Sequence, residues 1–197
     1  MVETITPVVY GNGHSTYRRA VVLFVASSTL SGATVGVALG ALGGLAGAPW
    51  GAAGTWLVAA TALLYVLREA GAARMPVPAR RGQVPEWWRT FFSPSVAAVL
   101  YGGGLGAGFL TFLHHGTLVV VALASLAGGS PLWGAIAFGL FGATRGVTVL
   151  AGRRAESSEA AARVAERLGE GAGSARLRAW NCAAIALVFA AAVLGSR

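Results

Sequence analysis

Long apolar runs separated by short polar segments make up most of this chain. In order along the sequence, the runs cover residues 20–47, 51–67, 95–127, 132–150 and 180–194. A helix needs about 20 consecutive apolar residues to cross a bilayer. Charged residues make up 11% of the chain, against about a quarter in a soluble domain. The pattern therefore predicts an all-α fold, a polytopic helical bundle in a membrane.

The third run decides how many times the chain crosses that membrane. As one straight helix, residues 95–127 would be about 50 Å long, against about 30 Å for the hydrocarbon core. The run is therefore either a hairpin of two spans, which gives six in total, or one broken or re-entrant span, which gives five. Glycines and the pair His114-His115 near its middle mark the turn or break.

The arginines favour five spans. Arginine-rich loops cover residues 68–94 and 151–179, and cytoplasmic loops carry an excess of Arg and Lys. With five spans, both loops and a polar arm of residues 1–19 lie in the cytoplasm, whereas six spans place the loops on opposite sides. We therefore predict one transmembrane domain, residues 20–197, in the cell membrane with a cytoplasmic N-terminus. The net charge of +8 comes from these arginines, so nucleic-acid binding is not predicted.

Small residues recur at helical spacing inside the runs. The first run carries the pair Gly36 and Gly40, and the third carries Gly104 and Gly108. The fourth run carries a longer series, which consists of Ala135, Gly139, Gly142 and Gly146. Such stripes let helix backbones approach closely in lipid. We expect helix contacts along them.

A faint internal repeat relates the first two runs to the third and fourth. The stretch "TVGVALGALGGLAGAPWGA" from Thr34 resembles "TLVVVALASLAGGSPLWGA" from Thr117. Many transporter folds are built from such repeats. In this register "ASSTLSG", residues 26–32, corresponds to "FLTFLHH", residues 109–115.

Polar residues inside the first and third runs are the candidates for a cavity or transport path. They carry hydroxyl or imidazole groups, and they are Ser31, Thr34, Thr111, His114, His115 and Thr117. Ionisable groups and broken backbone at membrane depth usually face a water-filled cavity. Alternatively, the histidine pair is the exposed turn of a hairpin, and the hydroxyls bond their own backbone or a neighbouring helix. The sequence leaves both interpretations open.

Two further residues are weaker candidates, and no catalytic site, metal or cofactor is predicted. Arg145 lies within the fourth run, where its side chain can also reach the interface, and Cys182 is a small residue suited to packing. A single cysteine excludes an internal disulfide. The chain has no Asp, the histidine outside the pair is His14 in the arm, and no catalytic or nucleotide-binding motif occurs.

The second arginine-rich loop is predicted to contain a short helix. Ser157 is placed to cap it, Glu159 and Arg163 lie one turn apart, and Gly169 can end it.

The third and fourth runs resemble a known family. The stretch "LYGGGLGAGFLTFLHHG", the turn "GGSPLWGA" and the span ending in "FGATRGVTVL" are similar to the second half of the CcdA/DsbD transmembrane family. The resemblance covers residues 95–150 and, more faintly, 20–67. That family moves reducing equivalents across the membrane with two cysteines, one in each of two broken helices. By this resemblance, the equivalent places lie near Ser31 and near His114-His115, and neither holds a cysteine.

This departure and the resemblance together leave two hypotheses for the function. Thiol–disulfide exchange needs two thiols within reach, so Cys182 alone cannot perform it. The wider LysE-type transporter superfamily, which resembles this scaffold, contains exporters of amino acids and metal cations. The leading hypothesis is a transporter-like protein that moves a small solute, ion or proton through a cavity in the helix bundle, and it is based on the overlong third run with ionisable residues at its middle.

The alternative is an accessory protein, related to the CcdA-like redox family, that assists cytochrome or cofactor maturation. A structural subunit of a membrane complex belongs to the same alternative. Besides the lipid bilayer, the expected partner is then a thioredoxin-like protein or a membrane complex.

Overall fold

The computed structural model describes residues 14–74, 76, 87–108, 116–154, 157–172 and 174–195. Within these ranges the chain forms helices and no strand. The α-helices are α1 (His14–Leu45), α2 (Gly51–Glu69), α3 (Trp88–Phe91), α4 (Pro94–Gly106), α5 (Thr117–Gly128), α6 (Pro131–Val147), α7 (Ser158–Ala172) and α8 (Ala175–Gly195). A 3-10 helix, Thr148–Arg154, follows α6 directly.

Three helices in the described part of the chain are long and apolar enough to cross a membrane. They are Ser15–Leu45, Gly51–Glu69 and Pro131–Ala151, and they coincide with the first, second and fourth apolar runs. The all-α class is therefore confirmed for the described residues. The number of spans and their orientation stay predictions.

The third apolar run is interrupted. Helix α4 has 13 residues and α5 has 12, so each is roughly 20 Å long and shorter than the hydrocarbon core. Gly108 has a φ of +75°, which no continuing helix adopts. The intervening residues 109–115, with Thr111, His114 and His115, lie outside the described residues.

The chain divides into two compact units. The first contains the described residues within Met1–Thr34, Arg80–Phe112 and Phe138–Gly171. Its apolar core is drawn from α1, α4 and the 3-10 helix, and it consists of Ala20, Val21, Phe24, Ala97, Ala98, Tyr101, Leu105 and Val149.

In the first unit, α1 and α6 are antiparallel and touch through small residues. An added Cβ atom at Gly146 would lie 3.1 Å from the Cα atom of Val25, and one at Gly142 would overlap the Ser28 carbonyl oxygen. The Ser28 hydroxyl also donates a hydrogen bond of 2.7 Å to the Gly142 carbonyl oxygen. The predicted contact stripe along the fourth run is confirmed here.

Helix α4 contacts α1 through a different glycine pair from the predicted one. Added Cβ atoms at Gly102 and Gly106 would overlap backbone oxygens of α1. The predicted pair, Gly104 and Gly108, is wrong as one helical stripe, because α4 ends at Gly106 and Gly108 has left-handed backbone.

The second unit contains the described residues within Val35–Ala79, Leu113–Ala137 and Ala172–Arg197. Helix α2 packs against both α5 and α8 in this unit. The core lies between these helices and consists of Val58, Ala62, Tyr65, Val120, Ala127 and Ile185.

Glycines also set the contacts of α1 in the second unit. An added Cβ atom at Gly36 would overlap the Gly134 carbonyl oxygen, and one at Gly40 would overlap that of Ser130. Both members of the predicted pair in the first run therefore lie at a close helix contact, as expected from their spacing.

The internal repeat contains two equivalent turns, one between α1 and α2 and the other between α5 and α6, and these turns lie side by side in the second unit. Each contains a left-handed glycine, Gly47 with φ +79° and Gly129 with φ +64°. The Trp50 N–H donates a hydrogen bond of 3.2 Å to the Ala127 carbonyl oxygen. An added Cβ atom at Gly129 would lie 2.6 Å from the Ala48 methyl carbon, so the turns touch without room for a side chain.

The helix predicted in the second arginine-rich loop is present as α7. The Ala160 N–H donates a hydrogen bond of 3.1 Å to the Ser157 hydroxyl, which is the expected N-cap. A guanidinium nitrogen of Arg163 lies 4.0 Å from the Oε2 atom of Glu159. The predicted end is wrong, because the helix continues through Gly169 to Ala172.

Candidate functional site

Several hydroxyl groups of α1 donate hydrogen bonds to backbone carbonyl oxygens of helices. Thr34 is exposed, and its hydroxyl donates a hydrogen bond of 2.9 Å to the Leu30 carbonyl oxygen. The Thr29 hydroxyl donates a hydrogen bond of 2.8 Å to the Val25 carbonyl oxygen. The Ser28 hydroxyl donates its hydrogen bond to the Gly142 carbonyl oxygen of α6. Ser31 is half-buried. The observed bonds follow the alternative in which hydroxyls satisfy backbone carbonyls.

Arg145 lies near the end of α6 in the first unit. Its side chain is half-buried, and the guanidinium carbon lies 5.4 Å from the centre of the Phe141 ring. This distance is within the range of a cation–π interaction, which stabilises a cation that is partly removed from water.

Among the described residues, the predicted candidates Thr117 and Cys182 lie at one junction of helices. The Thr117 hydroxyl, at the start of α5, donates a hydrogen bond of 2.8 Å to the side-chain oxygen of Asn181 on α8. The adjacent Cys182 is half-buried, and its Sγ atom lies 4.0 Å from the Val66 carbonyl oxygen on α2. Three helices of the second unit therefore meet at this point.

A carboxylate that sequence reasoning missed lies at the same junction. Glu69, the last residue of α2, is 7% exposed. The Gly116 N–H donates a hydrogen bond of 3.2 Å to its Oε1 atom, and the Arg68 guanidinium lies 2.6 Å from that same oxygen. Glu69 thus joins the end of α2 to the residue that precedes α5.

The packing around Gly116 explains why glycine occupies that position. An added Cβ atom there would overlap the ring of Tyr65, one turn before Glu69 on α2. The Tyr65 hydroxyl donates a hydrogen bond of 3.2 Å to the Pro76 carbonyl oxygen. We call the residues that hold the start of α5 the α5 anchor, and they are Tyr65, Arg68, Glu69, Gly116, Thr117 and Asn181.

The charges of the α5 anchor are complementary. The first N–H groups of a helix carry a partial positive charge, so a carboxylate placed there stabilises the helix. Burial of a carboxylate is costly unless it is paired and hydrogen-bonded. Arg68 and the Gly116 N–H supply these interactions to Glu69.

One signal in the sequence points to Glu69 in retrospect. The apolar run ends at Leu67 by composition, which places Glu69 in the following loop. Its spacing from the buried residues Val58, Ala62 and Tyr65 is nevertheless that of one helix face. Continuing the helix by two residues would have placed the carboxylate on the buried side.

Among the described residues, no group of three or more His, Cys, Asp or Glu side chains is arranged to hold a metal ion. The α5 anchor contains the ion pair of Arg68 with Glu69 and the hydrogen bonds described above.

These features define a class of protein, a helical protein with apolar helices of membrane-spanning length. No family model and no solved structure matches the chain. The chain is 37% identical over 98 residues to the methylamine utilization protein MauF of Paracoccus versutus, an alignment that covers 49% of this chain and 36% of that protein.

Two further proteins with the same name are similar to this chain. MauF of Methylophilus methylotrophus is 41% identical over 73 residues, which cover 36% of this chain and 26% of that protein. MauF of Methylobacillus flagellatus is 36% identical over 84 residues, which cover 43% of this chain and 30% of that protein. The chain thus matches about a third of the length of these curated relatives.

Proposed function

We propose that this chain is an accessory membrane protein in methylamine utilisation, which assists the maturation or assembly of a partner protein. The observation that carries the proposal is the similarity to MauF proteins of three organisms at 36–41% identity. Helices of membrane-spanning length support a membrane location. Of the two hypotheses drawn from the sequence, these findings favour the accessory protein over the transporter.

The structure favours an assembly role over a thiol role within this proposal. Cys182 is half-buried between α8 and α2, where its thiol contacts the Val66 carbonyl oxygen. A cysteine that forms mixed disulfides is typically exposed. The CcdA/DsbD-like scaffold remains part of the proposal, without the dithiol chemistry of that family.

Deletion of the gene from its own host tests the proposal. We expect the deletion strain to lose growth on methylamine, to keep growth on succinate with ammonium, and to regain methylamine growth from a plasmid copy. Undiminished growth on methylamine would refute a role in methylamine utilisation.

Two measurements on the deletion strain separate an accessory protein from a transporter. An accessory protein predicts that methylamine-oxidising activity is lost from cell lysates while the initial rate of methylamine uptake is unchanged. A transporter predicts the reverse, because lysis removes the need for uptake. A plasmid copy with Cys182→Ser is expected to restore growth fully, and a failure to do so would support the thiol role instead.

A further inference from the structure

Two polar contacts at the start of α5 fall on consecutive residues. Glu69 of α2 accepts a hydrogen bond from the N–H of Gly116, and Asn181 of α8 accepts one from the hydroxyl of Thr117. In turn, the Gly116 carbonyl oxygen accepts hydrogen bonds of 3.0 and 3.2 Å from Val119 and Val120 in the first turn of α5. The position of this first turn is therefore tied to the Glu69 carboxylate.

Glycines flank α5 at both ends. Gly116 has no side chain that could hold the helix by packing, and an added Cβ atom there would overlap the Tyr65 ring. At the other end, Gly128 is followed by Gly129 with φ +64°. The core contacts of Val120 and Ala127 hold the body of this 12-residue helix, and the polar contacts of Gly116 and Thr117 fix its start.

The charge of Glu69 is what makes its contact strong. The Glu69 side chain is 3% exposed, whereas its partner Arg68 is 25% exposed. A hydrogen bond from a backbone N–H to a buried carboxylate is roughly twice as strong as one to a neutral acceptor. Removal of the negative charge weakens both the bond to Gly116 and the pairing with Arg68.

We propose that Glu69 is a charge-dependent latch, which holds the first turn of α5 against α2 and releases it when the carboxylate is neutralised. The latch is a conformational device of the second unit. It does not depend on the role in methylamine utilisation, so the two proposals can fail separately.

Accessibility of a single cysteine in the first turn of α5 tests the latch. Leu118 is half-buried and outside the α5 anchor, so Leu118→Cys in a Cys182→Ala background reports on this turn. Ala124→Cys, half-buried near the other end of the same helix, is the matched control. Each protein is purified with Glu69 and with Glu69→Gln, and the rate of maleimide labelling is measured.

We expect Glu69→Gln to raise labelling of the cysteine at position 118 about tenfold, because a hydrogen bond to a neutral amide is roughly half as strong as one to a carboxylate. Labelling at position 124 should stay unchanged. The Gln amide has nearly the same shape and can still accept the Gly116 N–H, so a contact made by shape alone predicts equal rates at position 118 and would overturn the proposal. An equal rise at both positions would also overturn it, because it indicates general loosening of the fold.

Discussion

Single glycines set the closest helix contacts in this protein. At Gly36 the backbone of α1 lies against a carbonyl oxygen of α6, where even a methyl group would overlap it. In lipid, hydrophobicity does not drive helices together, so packing at this distance supplies much of their association. The contact is therefore expected to be sensitive to the smallest added side chain.

Gly36→Ala is expected to lower the free energy of unfolding by about 1–3 kcal/mol, because the added methyl overpacks the contact with Gly134. Denaturant titration in detergent micelles measures this difference. Gly44→Ala on the same helix is the control, since its Cβ atom would lie 3.4 Å from the Gly129 carbonyl oxygen. That variant should be unchanged or more stable, because alanine is the better helix former by up to about 1 kcal/mol. Equal destabilisation of both variants would contradict the glycine contact.

The hydroxyls of α1 differ in what their loss should cost. Ser28→Ala removes a buried hydrogen bond to the Gly142 carbonyl oxygen, and we expect a loss of about 1 kcal/mol in the free energy of unfolding. Thr34→Ala removes an exposed hydroxyl that bonds within its own helix, so its effect should stay within about 0.5 kcal/mol. The same denaturant titration compares the two. A larger loss for Thr34→Ala would indicate a partner beyond the helix.

At the scale of the helices, the features that depend on residues close together in the sequence could be predicted. The runs predict the helices of membrane-spanning length, and glycine spacing predicts the α1 contact stripe, because only small residues permit such close approach. The Ser157 cap is equally local. The prediction of a contact stripe at Gly104 and Gly108 was wrong, because α4 ends at Gly106 and Gly108 lies beyond it.

The α5 anchor could not be predicted in the same way. Its members come from α2, α5 and α8, which are far apart in the sequence, and only the fold brings them together. Glu69 also follows the last apolar residue, Leu67, where hydropathy no longer indicates which side of the helix is buried. Pairing of a buried charge depends on neighbours that a single sequence does not identify.

The start of α5 gives a prediction with a control in the same helix. Gly116 has helical backbone, with φ −74° and ψ −9°, so alanine fits the backbone there. We expect Gly116→Ala to cost about 1–3 kcal/mol of the free energy of unfolding, solely because its methyl meets the Tyr65 ring. Gly128→Ala, at the other end, meets no atom within 4 Å and should cost nothing.

Thermal unfolding followed by circular dichroism compares these two variants. The double variant Gly116→Ala with Tyr65→Ala should show a smaller effect of the Gly116 change than the single variant does, because the ring that the methyl meets is gone. If the two substitutions act additively, the methyl group added at position 116 does not meet the Tyr65 ring.

At the scale of the whole molecule, the arginine distribution and the interrupted third run give a topology that can be tested. Neither α4 nor α5 is long enough to cross the hydrocarbon core alone. The arginine-rich loops 68–94 and 151–179 then lie on one side of the membrane if the chain crosses five times, and on opposite sides if it crosses six times.

Cysteine labelling in intact and permeabilised cells distinguishes the two topologies. Ala72→Cys and Ser157→Cys place thiols at exposed positions of the two loops, and Cys182→Ala removes the native thiol. With five spans, a membrane-impermeant maleimide labels both only after permeabilisation. Gly128→Cys, at the turn between α5 and α6, should be labelled in intact cells. Labelling of positions 72 and 157 from opposite sides would require six spans, because only an additional crossing between the loops can separate them.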